Sequence, residues 1–148
     1  MRDQFYLLLA DDDKDDGFFF SRALQKIPIA THLTIVDDGE KLMMYLNKNL
    51  KQLPDVLFLD LNMPRKNGSE CLVEIKKDEI LKELPVVIYS TSLYEDTADL
   101  LYKNGAHYYI RKGSLEGLEK GLHFVLNLLE AKKFSRPSRE LFIPVLPK

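Results

Sequence analysis

Short apolar strands alternate with amphipathic helices five times along this chain, and this alternation constrains the fold more than any other feature. Residues 5–10 and 55–60 are apolar almost throughout, which is typical of strands buried on both faces. The predicted strands span residues 5–10, 31–36, 55–60, 86–90 and 107–112. The predicted helices run from Asp15 or Asp16 to Ile27 and then over residues 38–50, 69–82, 94–104 and 115–133. The pattern predicts an α/β fold, a doubly wound, five-stranded parallel sheet with five helices.

The composition is that of a soluble globular protein. Of 148 residues, 45% are hydrophobic and 30% are charged, and the net charge of −2 gives no positive field for nucleic acid or an anionic membrane. No apolar stretch approaches the roughly 20 residues that span a bilayer, and the N-terminus lacks the pattern of a secretory signal. The single cysteine, Cys71, cannot form an internal disulfide. We therefore predict a cytoplasmic protein with neither nucleic acid nor a membrane as its partner.

One domain followed by a tail is predicted from the end of the alternating pattern. The domain spans residues 1–133, and the C-terminal tail spans residues 134–148, which hold three of the seven prolines. The tail contains the apolar segment LFIPVLP, residues 141–147, after a basic stretch. Such a segment is predicted to fold back onto its own domain or to contact a second copy of the chain in a homodimer.

Acidic residues follow two of the apolar strands. The segment LLLADDDKDDG, residues 7–17, places five aspartates in six consecutive positions. In the strand order 2-1-3-4-5, which is common for such sheets, strands 1 and 3 are neighbours where ligands bind. Asp11 and Asp12 then lie beside Asp60, and Ser90 and Lys112 end the next two strands at the same edge. Converging carboxylates favour a bound cation, and ligands that are all oxygen suit Mg²⁺.

This set of groups indicates phosphoryl transfer. Lys112 offers a positive charge to a phosphoryl oxygen, and Ser90 offers a hydrogen-bond donor. The transition state of phosphoryl transfer needs positioning and charge neutralisation more than covalent help. Asp60 stands alone at its strand end, before the loop MPRKNG of residues 63–68, and is therefore the predicted nucleophile.

The order of these motifs resembles that of response-regulator receiver domains, the CheY-like superfamily of two-component signalling. The resemblance covers about residues 5–131 and includes LLADDD, LDLNMPRKNG, VVIYSTS and GAHYYIRKG. It implies a flavodoxin-like sheet and a phosphoryl group that Asp60 accepts from a sensor histidine kinase. It also implies that Mg²⁺ binds Asp12, Asp60 and the backbone carbonyl of Asn62, while Asp11 acts through water.

The resemblance further implies a switch. Ser90 and Lys112 grip the phosphoryl oxygens, Ser90 moves inward, and Tyr109 rotates, which reshapes the face formed by helix 4, strand 5 and helix 5 for a downstream protein. Because 15 residues after the last predicted helix leave no room for an effector domain, a stand-alone, single-domain regulator is expected. Such a protein is not an enzyme beyond its own phosphorylation and slow dephosphorylation.

Three further features of the sequence raise expectations. Receiver domains usually have proline after the lysine, whereas this chain has Gly113, so the loop before helix 5 should be less constrained. Phe18, Phe19 and Phe20 differ by about 100° around a helix, so at least one ring should reach solvent. Receivers present helix 1 to the kinase, so an exposed ring there is a candidate docking residue. Asp13, Asp15 and Asp16 are expected to face water and to help start helix 1.

Other interpretations of the same residues are less complete. An EF-hand loop starting at Asp11 would need glycine and glutamate where Asp16 and Arg22 stand. A haloacid-dehalogenase-type phosphatase could use Asp11 and Asp13, but it leaves Asp60 without a role. The remaining alternative is a receiver-fold binding module that signals without phosphate, and the complete set of acid, hydroxyl and lysine favours phosphorylation over it.

Overall fold

The structure is a computed structural model that describes residues 3–91 and 94–146. Its five parallel strands have the order β2-β1-β3-β4-β5, which confirms the predicted topology. The strands are β1 (Phe5–Ala10), β2 (Thr31–Val36), β3 (Val56–Leu59), β4 (Val86–Ser90) and β5 (Tyr108–Arg111). The connection from β2 back across β1 to β3 creates the reversal of strand order at which ligands bind in such sheets.

Helices cover both faces of the sheet, as the alternation predicts. They are α1 (Lys14–Gln25), α2 (Gly39–Lys48), α3 (Gly68–Lys77), α4 (Glu95–Lys103) and α5 (Leu115–Glu130), with short 3₁₀ turns at Leu81–Glu83 and Arg139–Leu141. Because side chains alternate along a strand, Leu7 and Leu9 of β1 pack with α1 and α5, whereas Leu8 and Ala10 pack with α2, α3 and α4. In the part of the chain that the structure describes, none of the helices combines the length and the apolar character needed to cross a membrane.

The helix ends follow local capping chemistry. The Asp13 side chain caps α1 by accepting from the backbone N–H groups of Asp15 and Asp16, so this helix begins slightly earlier than expected. The predicted helix over residues 69–82 is too long, since α3 ends at Lys77. There the Asp78 carboxylate accepts from the N–H groups of Ile80 and Leu81, at 2.8 and 3.0 Å, and starts a separate turn.

The chain beyond α5 folds back over the edge of the sheet. Phe142 is fully buried in the core between the sheet and α4. The Tyr109 N–H of the edge strand β5 donates to the Phe142 carbonyl at 3.0 Å. Arg139 binds Glu95 and Asp99 of α4 at 2.9 and 2.7 Å. The described part of the tail folds back onto its own domain, which is one of the two expectations for it. Contact with a second copy of the chain and the domain boundary at residue 133 both stay predictions.

Residues 1–2 and 147–148, the ends of the predicted domain and tail, lie outside the described residues, as do residues 92–93 before α4. The candidate site residues Asp11, Asp12, Asp60, Ser90 and Lys112 all fall within the described part.

Candidate functional site

Strand pairing brings the predicted acids together. The register of β1 and β3 pairs Ala10 with Leu59, so Asp11 and Asp60 leave neighbouring strands at the same level. The Asp60 N–H donates to the Ala10 carbonyl at 3.0 Å and extends the ladder by one residue. Asp11 and Asp60 are 2% and 5% exposed. The sheet thus holds two carboxylates in a buried position, where their charged forms are unfavourable unless other charges or hydrogen bonds stabilise them.

A third carboxylate completes a cluster of oxygen ligands. Asp11, Asp12 and Asp60 each offer a carboxylate oxygen, and these atoms lie within 4.8 Å of one another. Asp12 is exposed, so a cation could enter from solvent and keep part of its water shell. The Asn62 N–H donates to Asp60 Oδ1 at 3.3 Å, which places the Asn62 backbone beside the cluster. The donor set therefore fits a hard divalent cation.

Lys112 supplies the positive charge of the site. Its Nζ lies 2.8 Å from Asp11 Oδ2, 2.8 Å from Asp16 Oδ2 and 3.1 Å from Asp60 Oδ2. Backbone pairing fixes its position, because the Lys112 N–H donates to the Ser90 carbonyl at 2.8 Å. Burial disfavours the charged form of Lys112, but its hydrogen bonds to Asp11 and Asp16 raise its pKa above the ordinary value. Lys112 is consequently a permanent ammonium at neutral pH.

Asp16 lies in the first turn of α1 as expected but faces water only in part, since its side chain is 30% exposed and its carboxylate pairs with Lys112. Sequence reasoning missed this contact. With Asp13 as the cap, Asp16 belongs to the first turn of α1, but only the packing of α1 beside α5 brings that turn to the end of β5. Asp13 and Asp15 agree with the expectation: Asp13 caps the helix, and both side chains are exposed. Because the Asp13 side chain caps α1, Asp13 does not form with Asp11 the pair of acids that a haloacid-dehalogenase-type phosphatase would use.

Burial and charge act together on Asp11. Burial raises its pKa to about 6, the Asp60 charge acts in the same direction, and the hydrogen bond from Lys112 opposes both. A carboxylate with this pKa gains from any further cation that stabilises its charged form. The electrostatics of the site therefore favour a bound divalent ion.

Ser90 and Tyr109 lie on the α4 side of the sheet behind Asp60. Both side chains are fully buried, and within the described chain neither hydroxyl has a hydrogen-bond partner. Burial raises the pKa of the Tyr109 hydroxyl. The nearby Ser90 hydroxyl acts in the opposite direction, although the two groups do not have the geometry of a hydrogen bond. A buried hydroxyl without a partner costs free energy, so the Ser90 hydroxyl is suited to an acceptor that arrives at Asp60.

The loop after Asp60 depends on a close backbone contact. A Cβ at Gly68 would lie 2.1 Å from the Asp60 carbonyl oxygen, so only glycine allows α3 to start there. Asn67 and Glu70 form a capping box at the start of α3. At Gly113, by contrast, an added Cβ would meet nothing within 4 Å. A side chain would therefore fit at this position, and the expectation of a less constrained loop before α5 stays a prediction.

The first turns of α1 expose aromatic rings next to the site. Phe18 and Phe19 are 57% and 48% exposed, while Phe20 is buried, so two rings rather than one reach solvent. Phe18 and Ile35 line an open cleft of about 560 Å³ that continues to Asp11 and Asp12. The acidic cluster is therefore bordered by an apolar surface.

Comparison with known proteins agrees with this geometry. Residues 7–121 match the family described as response regulator receiver domain. Response regulator Rcp1 of Synechocystis sp. (strain ATCC 27184 / PCC 6803 / Kazusa) is 34% identical over 110 residues, which cover 72% of this chain and 75% of Rcp1.

Two solved structures resemble the fold closely. The Mn²⁺-bound form of Rcp1 has a TM-score of 0.76 and 30% identity, and the match covers 90% of this chain and 99% of that one. The phosphorylated cyanobacterial phytochrome response regulator RcpA has a TM-score of 0.78 and 30% identity, over 98% of this chain and 99% of that one. The strand order, the acidic cluster with its lysine, and these similarities together show that the chain belongs to the response regulator receiver domain family.

Proposed function

We propose that Asp60 accepts a phosphoryl group from a phosphohistidine of a sensor histidine kinase. The position of Asp60 is the observation that supports this most directly: its carboxylate lies within 4.8 Å of the Asp11 and Asp12 carboxylates and 3.1 Å from the Lys112 ammonium. In the transfer, an Asp60 oxygen forms a bond to phosphorus as the bond from phosphorus to the histidine nitrogen breaks. The imidazole leaves with the electron pair, and Lys112 neutralises charge on the phosphoryl oxygens.

Mg²⁺ is the cation that we propose for the acidic cluster. Asp11, Asp12 and Asp60 would hold it, with the Asn62 carbonyl as a further oxygen ligand. Mg²⁺ is typically bound by one or two carboxylates, several waters and a phosphate oxygen, which suits a cluster with one solvent-exposed carboxylate. Its charge would draw the donor phosphate to Asp60. The related Rcp1 has been solved in a Mn²⁺-bound form, which supports a divalent ion at this type of site.

Ser90 and Tyr109 are the proposed switch. A phosphoryl group on Asp60 would give the Ser90 hydroxyl the acceptor that it lacks. Inward movement of Ser90 would leave space beside Tyr109, whose ring packs at the α4–β5 face. The signal would therefore reach a downstream protein as a change of the face formed by α4, β5 and α5.

The partners follow from this role. The exposed Phe18 and Phe19 beside the acidic cluster are the proposed surface for the kinase, which must bring its phosphohistidine to Asp60. We also propose a cytoplasmic, non-enzymatic signalling protein, with a homodimer as a further assembly. The fold alone would equally serve a binding module without phosphorylation, so phosphorylation is the step to test.

Intact-mass measurement after incubation with acetyl phosphate and Mg²⁺ tests the proposal. The wild-type chain is expected to gain the mass of one phosphoryl group, and Asp60→Asn is expected to gain none. Omitting Mg²⁺ should strongly reduce the gain in the wild type, because the three carboxylates repel the anionic donor. A folded wild-type chain that takes up no phosphate, or an Asp60→Asn variant that does, would contradict the assignment and favour the binding module.

A further inference from the structure

A carboxylate outside both the metal cluster and the acceptor position binds the ammonium of Lys112. Asp16 Oδ2 lies 2.8 Å from Lys112 Nζ, as close as Asp11 Oδ2, while Asp60 Oδ2 lies at 3.1 Å. Of the three N–H donors of the ammonium, two reach Asp16 Oδ2 and Asp60 Oδ2 with hydrogen-bond geometry, and Asp11 Oδ2 lies at ion-pair distance. A phosphoryl oxygen that binds Lys112 therefore competes with these carboxylates for the ammonium.

Asp16 is the carboxylate that is released most easily. Its side chain is 30% exposed, whereas those of Asp11 and Asp60 are 0% and 7% exposed. A carboxylate at the solvent boundary can exchange its ion pair for water, while a buried carboxylate without a partner is costly. Asp16 also lies on α1, whereas Asp11 and Asp60 follow strands of the sheet. Asp16 can therefore leave Lys112 without disturbing the acceptor or the metal cluster.

We propose that Asp16 is a positioning residue that holds Lys112 before phosphorylation and competes with the phosphoryl group for its ammonium. The inference rests on the proposed function, in which a phosphoryl group on Asp60 binds Lys112. Phosphorylation replaces the single charge of the Asp60 carboxylate with a phosphoryl group that has up to two negative charges, beside Asp16. Asp16 thus destabilises the phosphorylated state and slows the approach of an anionic donor.

The same negative charge has the opposite effect on a cation. Asp16 neutralises part of the Lys112 charge and adds to the negative potential around Asp11, Asp12 and Asp60. Removing its charge should weaken Mg²⁺ binding while it strengthens the binding of the phosphoryl group. A variant that merely damages the pocket would weaken the binding of both Mg²⁺ and the phosphoryl group. Opposite effects on the two therefore distinguish competition for Lys112 from structural support of the pocket.

The experiment compares Asp16→Asn with Asp15→Asn in the full chain. Both variants remove one negative charge from the first turn of α1, but Asp15 is exposed and Lys112 pairs with Asp16. Calorimetric titration with Mg²⁺ measures cation affinity. Intact-mass time courses at saturating Mg²⁺ measure the rate of phosphorylation by acetyl phosphate and the lifetime of the phosphoryl group after the donor is removed.

Asp16→Asn is expected to weaken Mg²⁺ binding about 2- to 5-fold and to raise both the phosphorylation rate and the phosphoryl lifetime about 3- to 10-fold, the size typical of one partly screened charge. Asp15→Asn should stay within about twofold of the wild type, because an exposed charge without the contact is screened. Asp16→Glu, which keeps the charge on a longer side chain, should return the rate and the lifetime toward the wild-type values.

The inference is overturned if Asp16→Asn and Asp15→Asn behave alike, or if the phosphorylation rate of Asp16→Asn does not rise. A loss of both Mg²⁺ affinity and rate would show that Asp16 only supports the pocket. Failure of the proposed function is a separate result, seen when the wild type takes up no phosphate or when Asp60→Asn takes it up. When the wild type is phosphorylated and Asp60→Asn is not, the Asp16 comparison alone decides this inference.

Discussion

Burial favours the neutral form of two side chains at opposite ends of the sheet. At the carboxyl ends of the strands, burial raises the pKa of Asp11 to about 6, with Asp60 adding to the shift. At the start of β5, burial lowers the pKa of His107 to about 3, and the charges of Lys76 and Arg136 act in the same direction. The ionised form of Asp11 can bind cations. The His107 imidazole, by contrast, accepts the backbone N–H of Val86 at 3.3 Å and stays neutral. Desolvation therefore shifts the pKa of both side chains, but only Asp11 lies at the candidate site.

His107 should make stability depend on pH. In the unfolded chain the imidazole takes up a proton near pH 6.5, while in the folded chain it does so only near pH 3. The unfolded state binds more protons at this group between these values, so the contribution of His107 to the free energy of unfolding falls as the pH falls from about 6.5, by up to about 1.4 kcal/mol per pH unit. The raised pKa of Asp11 acts in the opposite direction below about pH 6, so the His107 contribution is isolated by comparing variants. Urea unfolding at about pH 7.5 and about pH 5.5 measures the slope.

A non-titrating variant isolates this contribution. His107→Asn keeps an acceptor atom near the position of Nδ1 and should lose stability less steeply than the wild type on acidification. His123→Asn, at an exposed position of α5, is the matched control and should keep the wild-type slope. Equal slopes for His107→Asn and the wild type would show that His107 does not cause the pH dependence.

At the scale of the elements, the C-terminal tail, and not another strand, pairs with a backbone group at the free side of the edge strand β5. An open sheet edge exposes unpaired backbone groups. The Phe142 carbonyl accepts the Tyr109 N–H, and the Phe142 ring packs edge-on against Tyr102 and Tyr109. Arg139 adds ion pairs to α4 at an exposed position, where such pairs contribute little. Burial of Phe142 therefore helps to hold the tail on the α4–β5 face, together with the hydrogen bonds from Arg136 to the Tyr102 and Ala106 carbonyls and from the Tyr102 hydroxyl to the Pro137 carbonyl.

Phe142→Ala should lower the free energy of unfolding by about 1–3 kcal/mol. This is less than the 3–5 kcal/mol typical of a buried phenylalanine, because the tail can detach locally while the sheet stays folded. Hydrogen exchange measured by NMR should show faster exchange of the Tyr109 amide, whose acceptor lies in the tail. Leu141→Ala, at a neighbouring residue that is 63% exposed, should change neither quantity. An unchanged Tyr109 amide in Phe142→Ala would contradict this role of the ring.

At the scale of the whole molecule, negative charge is concentrated at one end of the sheet. The net charge is only −2, yet Asp11, Asp12 and Asp60 converge within 4.8 Å, and Asp11 and Asp60 share the buried Lys112 ammonium with Asp16. The hydrophobic core on both faces of the sheet supplies the stability that keeps these like charges together. A divalent cation should therefore stabilise the entire domain.

Mg²⁺ is expected to raise the melting temperature of the wild type. Binding to the folded state alone adds about 2.7 kcal/mol when the concentration is a hundredfold above the dissociation constant. Asp12→Asn should reduce this rise, because it removes a ligand of the cluster. Asp15→Asn removes the same charge at an exposed position of α1 and should keep the rise. Thermal unfolding with and without Mg²⁺ tests the expectation, and equal shifts in the two variants would contradict it.

The sequence alone determined the architecture and most of the site. The alternation of buried strands and amphipathic helices predicts the sheet and its helices, because each pattern depends on residues that are neighbours along the chain. Asp11, Asp12, Asp60, Ser90 and Lys112 could be predicted together, since parallel strands end at one edge. The end of α3 at Lys77 was missed because the Asp78 side chain competes for the backbone there.

Only the tertiary structure decided which distant residues meet. Asp16 and Lys112 are 96 residues apart, and their contact exists because α1 and α5 pack side by side on one face of the sheet. The burial of Phe142 likewise depends on the space between the sheet and α4, which no local pattern describes. Hydrophobic periodicity and sequence motifs describe the residues that are neighbours along the chain. The partner of a charged side chain is set by packing between elements, and that packing placed Asp16 on Lys112.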